Sequence, residues 1–383
     1  LEKYSAWFSF GIALICFSLT VEPTGSFWDA GEYISTSAKL QVGHPPGAPL
    51  FQMIGAFFAT FAFGASTKIA LMVNMVSVFS SAFTVFFTFL ITSNLIQKLW
   101  SEEEANSQSY SLPKTIVILS GSLVAALSLS FSDSFWFNAV EAEVYAMAML
   151  ITSAMFWLGL RWEEDMLKPR GDRWLVLIAF LIGLSFGVHF MGLLTVPSIG
   201  MLYYFKHYPF SWKSFVVANV VSVAVLLFIF KLLLPLTLAY FGNAEVFFVN
   251  SFGLPFNSGT IIAGLSILIL FILGLRLTQQ KNWVQANTGL WCIVFILVGF
   301  SSWIMLPIRA NANTVINENA PTDARALLAY YNLEQYPETH LFYGPMYTDM
   351  YAGQDADNPY KDDKPKYEKD LKKGRSRSHY AFF

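Results

Sequence analysis

The sequence predicts an all-α protein that crosses a membrane many times. Of its 383 residues, 55% are hydrophobic and only 13% are charged, whereas a soluble globular domain carries about 25% charged residues. Charge-free apolar segments recur along the chain, and about 20 such residues cross a bilayer core as one helix. The formal net charge of −2 is too small to indicate a nucleic-acid partner, so we expect none.

Seven apolar segments are each long enough for one transmembrane helix. They are residues 5–21, 69–97, 115–131, 144–160, 214–230, 259–275 and 289–308. Residues 174–205 would measure about 48 Å as a single helix, and glycines and a proline interrupt them, so two short helices are expected. Residues 49–64 are apolar but short, and they could either cross the membrane or lie along its interface.

Basic residues in the loops choose between these topologies, because cytoplasmic loops are enriched in Lys and Arg. Nearly all of them fall on one side if residues 49–64 lie in the interface and residues 174–205 are split. This arrangement predicts about nine crossings, with the N-terminus inside and with outer loops at 22–68 and 132–143. Acidic residues then collect on the outer side, where they are Glu22, Asp29, Glu32, Asp133, Glu141, Glu143 and Glu245.

The composition becomes polar after residue 308. An Asn-rich stretch is followed by the helix-like segment DARALLAYYNLEQY. We therefore divide the chain into a transmembrane domain, residues 1–308, and the start of an outer soluble region, residues 309–383. The last part of that region is too short and too charged to form a core alone. The chain begins without Met and stops in a charged stretch, so we expect a fragment of a longer protein.

The first outer loop carries the acidic motif Asp29-x-x-Glu32, directly behind the first apolar segment. This spacing is typical of a capping box, in which the first acid caps a helix and the second reaches back to it. The same two acids, beside Phe27 and Trp28, would also become stronger bases against an apolar wall. We expect both roles to apply. The following His44-Pro-Pro-Gly predicts a rigid turn, with His44 able to face the same cavity.

The second outer loop carries Asp133, Glu141 and Glu143 without a basic partner. Acids beside aromatic residues at one membrane face, with no cation to pair, favour a site over a scaffold. His189 is expected in the turn between the two short helices on this side, where such a histidine usually hydrogen-bonds across helices and could also position a ligand. Lys231, late in an apolar segment, either snorkels to the interface or holds a lipid phosphate.

Arg309, the first residue after the last apolar segment, is the other candidate for binding a phosphate. Motifs for other chemistries are missing from the sequence: we find no Walker A loop, no Gly-rich dinucleotide loop, no His-Glu-x-x-His and no Cys-x-x-Cys. ATP-driven chemistry and structural zinc are therefore not supported.

Four segments in this order resemble a known class of enzymes. They are FWDAGEYISTSAKLQVGHPPGAPLF, NAVEAEVYAM, GLSFGVHFMGLL and IRANANTVINENAP. The chain resembles the GT-C superfamily of polytopic glycosyltransferases, and within it a bacterial protein O-mannosyltransferase-like family. The resemblance covers residues 1 to about 345. It implies a GT-C-like helix bundle with interfacial helices at 30–64, in the first outer loop, and a bacterial inner-membrane location with the active site facing the periplasm.

The resemblance also implies the chemistry. Asp29 would take the proton from a Ser or Thr hydroxyl of an exported protein, and Glu32 would help to orient that acceptor. A polyprenyl-phosphate sugar would be the donor, transferred with inversion, and its phosphate would face Arg309 first and Lys231 second. Mannose as the sugar follows from the resemblance alone. Metal dependence stays open, with Asp29 and Asp133 as ligands for Mg²⁺ or Mn²⁺ if a metal is used.

Two alternatives remain at this point. A GT-C enzyme could glycosylate a lipid or a polymer instead of a protein. A transporter or flippase would also bind a lipid or sugar near broken helices, but the acids here cluster at one face and the spans leave the membrane midplane nearly empty.

Overall fold

The protein is a bundle of helices, described here from a computed structural model. The structure describes residues 1–99, 111–336, 366–370 and 372–379. The first seven helices are α1 (Glu2–Thr20), α2 (Ala30–Lys39), α3 (Pro49–Ala59), α4 (Ile69–Gln97), α5 (Leu112–Ser130), α6 (Asp133–Ala139) and α7 (Val144–Asp165). The later ones are α8 (Arg173–Ser185), α9 (Thr195–His207), α10 (Trp212–Leu227), α11 (Leu234–Phe252), α12 (Ser258–Gln280), α13 (Val284–Phe300), α14 (Met305–Ala310) and α15 (Ala324–Tyr331).

Two short antiparallel strands, Lys366–Asp370 and Arg375–His379, form a hairpin near the end of the chain. Most of the predicted soluble region beyond residue 336, including its predicted tail, lies outside the described residues.

Six helical segments are long and apolar enough to cross a membrane within the described part of the chain. They are Ser66–Gln97, Leu112–Ser130, Val144–Asp165, Trp212–Phe252, Ser258–Gln280 and Val284–Ala310. These segments support an integral membrane protein. The count of about nine crossings is not confirmed, because residues 5–21 and 174–205 form helices outside these six.

Residues 174–205 are divided, as the glycines predict. Helix α8 ends at Ser185, His189 begins a 3₁₀ turn over Phe190–Leu194, and α9 follows from Thr195. The break is held in place by neighbours, since the Gly187 carbonyl accepts hydrogen bonds from the backbone N–H groups of Leu50 and Phe51 at 2.8 and 3.2 Å. The broken segment therefore docks directly on the start of α3.

Small residues allow close helix packing in the second half of the bundle. Helices α8 and α13 cross at Gly183 and Gly299. A Cβ on Gly183 would lie 2.1 Å from the Ile296 carbonyl oxygen, and a Cβ on Gly299 would lie 2.4 Å from the Phe180 carbonyl oxygen. Only glycine fits at both positions, which is how helices approach in a bilayer. In the first half, α4 packs against α1, α5 and α7.

The segment after α14 folds back on the first loop. The backbone N–H of Val42 donates to the Ile316 carbonyl at 3.1 Å, and the Tyr330 hydroxyl donates to the Gly43 carbonyl at 2.6 Å. Helix α15 confirms the predicted helix at DARALLAYY and is capped by Asp323, which accepts from the N–H groups of Arg325 and Ala326. The polar segment behind residue 308 thus buttresses the 40–47 turn.

Candidate active site at the start of α2

Asp29 lies at the position directly before α2. The preceding Trp28 has a φ of 60°, which is uncommon for a bulky residue, and its side chain is 85% exposed. The Asp29 side chain is more than half exposed, at 56%. The loop is held at its base because the Asn74 side chain of α4 donates to the carbonyls of Glu22 and Thr24 at 2.6 and 2.9 Å.

The predicted capping box is wrong in detail. Asp29 has helical backbone angles (φ −86°, ψ −2°) and its side chain makes no capping hydrogen bond. A capping side chain needs an extended backbone to reach the first-turn N–H groups, and the left-handed Trp28 instead leads the chain straight into the helix. Glu32 does not reach back either, because its carboxylate is bound elsewhere.

Glu32 binds His44 twice. Its carboxylate accepts from the His44 backbone N–H at 2.7 Å and lies 2.9 Å from Nδ1 of the ring. The approach requires glycine at position 43, where a Cβ would lie 2.8 Å from a Glu32 carboxylate oxygen. The side-chain hydrogen bond lowers the pKa of Glu32 and raises the pKa of His44. Both shifts favour the charged forms of the two groups.

His44 joins this pair to Asp29. Its Nε2 lies 3.8 Å from a carboxylate oxygen of Asp29. The ring is held from behind by the following turn, in which the Gly47 N–H donates to the His44 carbonyl at 2.8 Å. Gly47 has a φ of 61° and lies against the Tyr330 ring, so α15 fixes the turn that carries His44.

The two acidic loops meet at this site. Glu141 accepts a hydrogen bond from the Ser26 hydroxyl, and the Glu22 N–H donates to the Val140 carbonyl at 2.9 Å. Glu143 is 5% exposed. Burial, followed by the charges of Asp29 and Glu141, raises the pKa of Glu143 to about 7, against hydrogen bonds from the backbone of Val144 and Asp29.

Two tyrosines line the same place. Tyr33 packs against His44 with ring centroids 6.1 Å apart, and burial, then the charges of Glu143 and Asp29, raises its pKa. Tyr145 packs against His189 at 5.3 Å. Tyr33 was expected beside the two acids of the first loop, but no pattern could have marked Tyr145 among the 17 tyrosines of the chain, because its place depends on which loops meet.

His189 therefore lies near the acidic group, as predicted, but with a local task. Its Nδ1 accepts from the Met191 N–H at 3.1 Å, which places the proton of the neutral ring on Nε2. Burial lowers its pKa. The ring is thus a neutral neighbour of Tyr145.

Three side chains could hold a divalent cation. Asp29, Glu32 and His44 each offer one ligand atom, and these atoms lie within 4.8 Å of one another. Two carboxylates and an imidazole suit Mn²⁺ or Zn²⁺ better than Mg²⁺, which prefers oxygen ligands. The expected pair of Asp29 with Asp133 is not the group that the described residues form.

The remaining predicted residues lie apart from this cluster. Asp133 is exposed in the first turn of α6, and in the described part of the chain no hydrogen bond or ion pair joins it to the cluster. Lys231 is exposed in a π-helical turn between α10 and α11, with its Nζ 4.7 Å from the centroid of the Phe230 ring. Phe230 packs against Phe190, 5.2 Å away, beside His189.

Arg309 has structural partners. Its Nε donates to the Leu40 carbonyl, and its Nη2 donates to the Lys39 carbonyl at 3.2 Å. A cation at the C-terminus of a helix satisfies its last carbonyls and opposes its dipole. Arg309 therefore holds the end of α2 to α14, a role that its place behind an apolar segment did not reveal.

Comparison with known proteins identifies relatives of this region. Residues 29–212 match the family model "Protein O-mannosyl-transferase TMEM260 N-terminal domain". A protein O-mannosyl-transferase TMEM260 of Mus musculus is 28% identical over 170 residues, which are 44% of this chain and 21% of that protein. A protein O-mannosyl-transferase tmem260 of Dictyostelium discoideum is 24% identical over 146 residues, 38% of this chain and 15% of that protein.

No solved structure matches the chain. The matched family region begins at Asp29 and contains Glu32, His44, Glu143 and His189. The matched stretches span about a fifth or less of the two relatives' own lengths. Over residues 29–212 the chain is similar to the TMEM260 N-terminal domain, which agrees with the protein O-mannosyltransferase-like resemblance that the sequence motifs indicated.

Proposed function

We propose that this protein transfers mannose from a polyprenyl-phosphate carrier to Ser or Thr hydroxyls of exported proteins, with Asp29 as the general base. Its relatives are named protein O-mannosyl-transferases, and the acidic cluster lies in the region that matches them. The observation that carries the proposal is the state of Asp29. Among the described residues, the half-exposed Asp29 carboxylate accepts no hydrogen bond. The carboxylates of Glu32 and Glu141 already accept hydrogen bonds from His44 and Ser26.

The chemistry follows from that geometry. An acceptor hydroxyl placed against Asp29 gives its proton to the carboxylate as its oxygen attacks the anomeric carbon. The bond from that carbon to the phosphate oxygen breaks on the opposite face, so the configuration inverts, and the phosphate leaves with the bonding electrons. A positioned base of this kind contributes about 10²- to 10⁴-fold to the rate.

Glu32 was expected to orient the acceptor, but we propose that it positions His44 instead. Because its carboxylate is bound to His44 at 2.7 and 2.9 Å, it fixes the orientation of the ring, and His44 Nε2 faces Asp29 at 3.8 Å. The raised pKa of His44 favours its charged form, which lies beside the Asp29 carboxylate. Glu32 and His44 are thus positioning residues for Asp29. The same three side chains would hold a divalent cation, which when bound supplies positive charge for the departing phosphate.

For the donor phosphate we place Lys231 before Arg309, which reverses the order from the sequence. Two donors of Arg309 are already bound to carbonyls at the end of α2. Lys231 is exposed, and no carboxylate pairs with it within the described residues. Edge and tilted ring contacts from Phe230 through Phe190 connect Lys231 with His189 at the edge of the cluster. A fixed cation there would stabilise the charge of the leaving phosphate.

We also propose that the acidic cluster faces the outside of the cell, since the loops at the other end of the bundle hold most of the basic residues. Single-cysteine labelling tests this orientation. A cysteine at position 29, in a chain from which Cys16 and Cys292 have been removed, should react with an impermeant maleimide added outside intact cells. Labelling only after the membrane is opened would refute the orientation.

A transfer assay tests the function itself. The purified protein in liposomes is given polyprenyl-phosphate mannose and a Ser/Thr-rich peptide, with Asp29→Asn beside wild type and Asp133→Asn as the matched control. Peptide mannosylation should occur with wild type and Asp133→Asn and fall at least 100-fold with Asp29→Asn. Transfer to lipid but not to peptide would favour a glycolipid-forming enzyme, and no transfer with any polyprenyl-phosphate sugar would refute the proposal.

A further inference from the structure

A cavity runs between helices of the second half of the bundle, and its polar end, at Lys213, lies at the opposite end of the bundle from Asp29. It has a volume of about 830 Å³, is bounded by α8, α9, α10 and α13, and reaches Trp162 near the end of α7. Glu143 directly precedes the other end of α7, so the length of that helix separates the Trp162 end of the cavity from the acidic cluster. Ile229 and Leu233 place the other end of the cavity beside the turn that carries Lys231. Its size falls within the range of ligand-binding cavities, about 300 to 1,000 Å³.

The wall of this cavity is hydrocarbon over most of its length. Ile178, Ile182, Ile199, Val221, Ile229 and Ile296 all line it. Such a surface offers water no hydrogen-bond partners, so a chain of methylene groups is its natural occupant. Helix α10 also exposes Val220, Val223 and Leu227, as expected of a helix that faces lipid, which gives a lipid chain direct access.

One end of the cavity is polar. Lys213 and Ser214 line it there, and the Tyr204 hydroxyl lies 2.7 Å from the Ser214 hydroxyl. Lys213 is exposed, and within the described residues no carboxylate lies within ion-pair distance of it. This end therefore presents a positive charge and hydroxyl groups beside an apolar groove.

Trp162 supplies an independent observation. It is 6% exposed and stacks on Tyr203, with ring centroids 6.0 Å apart and planes at 13°. Its indole N–H is buried and has no hydrogen-bond partner in the described structure. A buried donor without an acceptor costs free energy, and a ligand oxygen in the cavity that Trp162 lines would remove that cost.

We propose that this groove binds one anionic glycerophospholipid from the leaflet at the Lys213 end. An acyl chain lies along the isoleucines, while ester and phosphate oxygens accept from the Trp162 N–H and from Lys213. Lys213 favours an anionic headgroup, and the unpaired Trp162 N–H favours a headgroup with oxygen atoms that can accept a hydrogen bond. A polyprenyl-phosphate donor is disfavoured because its phosphate would lie a helix length away from Asp29.

The headgroup decides which lipid is bound. Moving a chain from the bilayer into the groove gains little, since lipid tails are as apolar as the groove wall. One Lys near the surface favours an anionic over a zwitterionic headgroup by about fivefold. The lipid therefore binds with modest selectivity, and removing Lys213 abolishes the selectivity without abolishing binding.

Native mass spectrometry of the delipidated protein tests the proposal, with dioleoyl phosphatidylglycerol and dioleoyl phosphatidylcholine as probes. Wild type should retain one phosphatidylglycerol about fivefold more tightly than phosphatidylcholine. Lys213→Gln should bring the two lipids within about twofold of each other. Ala218→Phe, which fills the groove from α10, should weaken the binding of both. Lys281→Gln, an exposed cation outside the groove, is the matched control and should keep the fivefold preference.

A second measurement reports directly on where the lipid chain lies. Phosphatidylglycerol with brominated acyl chains should quench tryptophan fluorescence in wild type, and Trp162→Phe should lower the quenched fraction. Equal affinity for the two lipids in wild type, the same loss in Lys281→Gln as in Lys213→Gln, or unchanged quenching in Trp162→Phe would each overturn the proposal. Polyprenyl phosphate displacing phosphatidylglycerol from the groove would also overturn it. None of these readouts uses sugar transfer, so they are independent of the proposed function.

Discussion

Replacing Glu143 with Gln should make the protein more stable at high pH. Glu143 is 5% exposed, and burial with the charge of Asp29 raises its pKa from 4.5 to about 7. The folded state therefore binds more protons than the unfolded state between these values, and the wild-type free energy of unfolding falls as the pH rises through this window. Glutamine has no proton to lose, so the variant should not show this fall.

The size of the effect follows from the same shift. The difference between 4.5 and about 7, at about 1.36 kcal/mol per pKa unit, amounts to about 3 kcal/mol. Glu143→Gln should exceed wild type by about 2 to 3 kcal/mol above pH 7, and the two proteins should converge near pH 4.5. The contribution of His44, whose pKa is also raised, is present below pH 6.5 and is lost as the pH rises through its folded-state pKa. That loss occurs in both proteins and largely cancels in their difference.

Equilibrium unfolding in mixed SDS and mild-detergent micelles, from pH 4.5 to 8, measures this difference. Glu318→Gln, at an exposed carboxylate, is the matched control and should parallel wild type throughout. Asp29→Asn should flatten part of the wild-type curve, because the Asp29 charge helps to raise the pKa of Glu143. A difference between Glu143→Gln and wild type that stays constant with pH would refute the raised pKa of Glu143 and its cause, burial beside other carboxylates.

Three further outcomes are expected. His44→Ala and Glu32→Gln should each lower the turnover rate, and the double variant should lose no more than the stronger single one, because the two act as one pair; double-mutant kinetics checks this. Arg309→Ala should destabilise the protein by about 1 to 3 kcal/mol in micelle unfolding and leave the donor KM unchanged, whereas a raised KM would restore the phosphate role. Gly47→Ala should lower the melting temperature, because a Cβ there would lie 2.6 Å from the Tyr330 hydroxyl at a φ of 61°.

The sequence alone was enough to predict elements that are determined by residues close together in the chain. Glycines and a proline predicted the break in residues 174–205, and the run DARALLAYY predicted α15 with Asp323 at its start. The total of about nine crossings is not confirmed, since the first helix and the two broken pieces are not among the six segments of the described chain that are long and apolar enough to cross a membrane.

The contacts that define the site could not be derived in the same way. The motif at Asp29 and Glu32 has the same spacing in a capping box and in a catalytic loop. What decides between them is His44, which lies 12 residues further on and folds back through Gly43 to meet Glu32. Arg309 binds the carbonyl of Leu40, 269 residues away along the chain. Such pairings depend on the tertiary fold, and a single sequence carries no signal for them.

The central claim is that Asp29 is the base for sugar transfer. The most direct test is the single-turnover rate of mannose transfer to a Ser/Thr-rich peptide at saturating polyprenyl-phosphate mannose, compared between wild type and Asp29→Asn. If Asp29 is the base, the rate should be at least 100-fold lower in the variant, with the donor still bound at the wild-type affinity. Transfer by Asp29→Asn at the wild-type rate would contradict it.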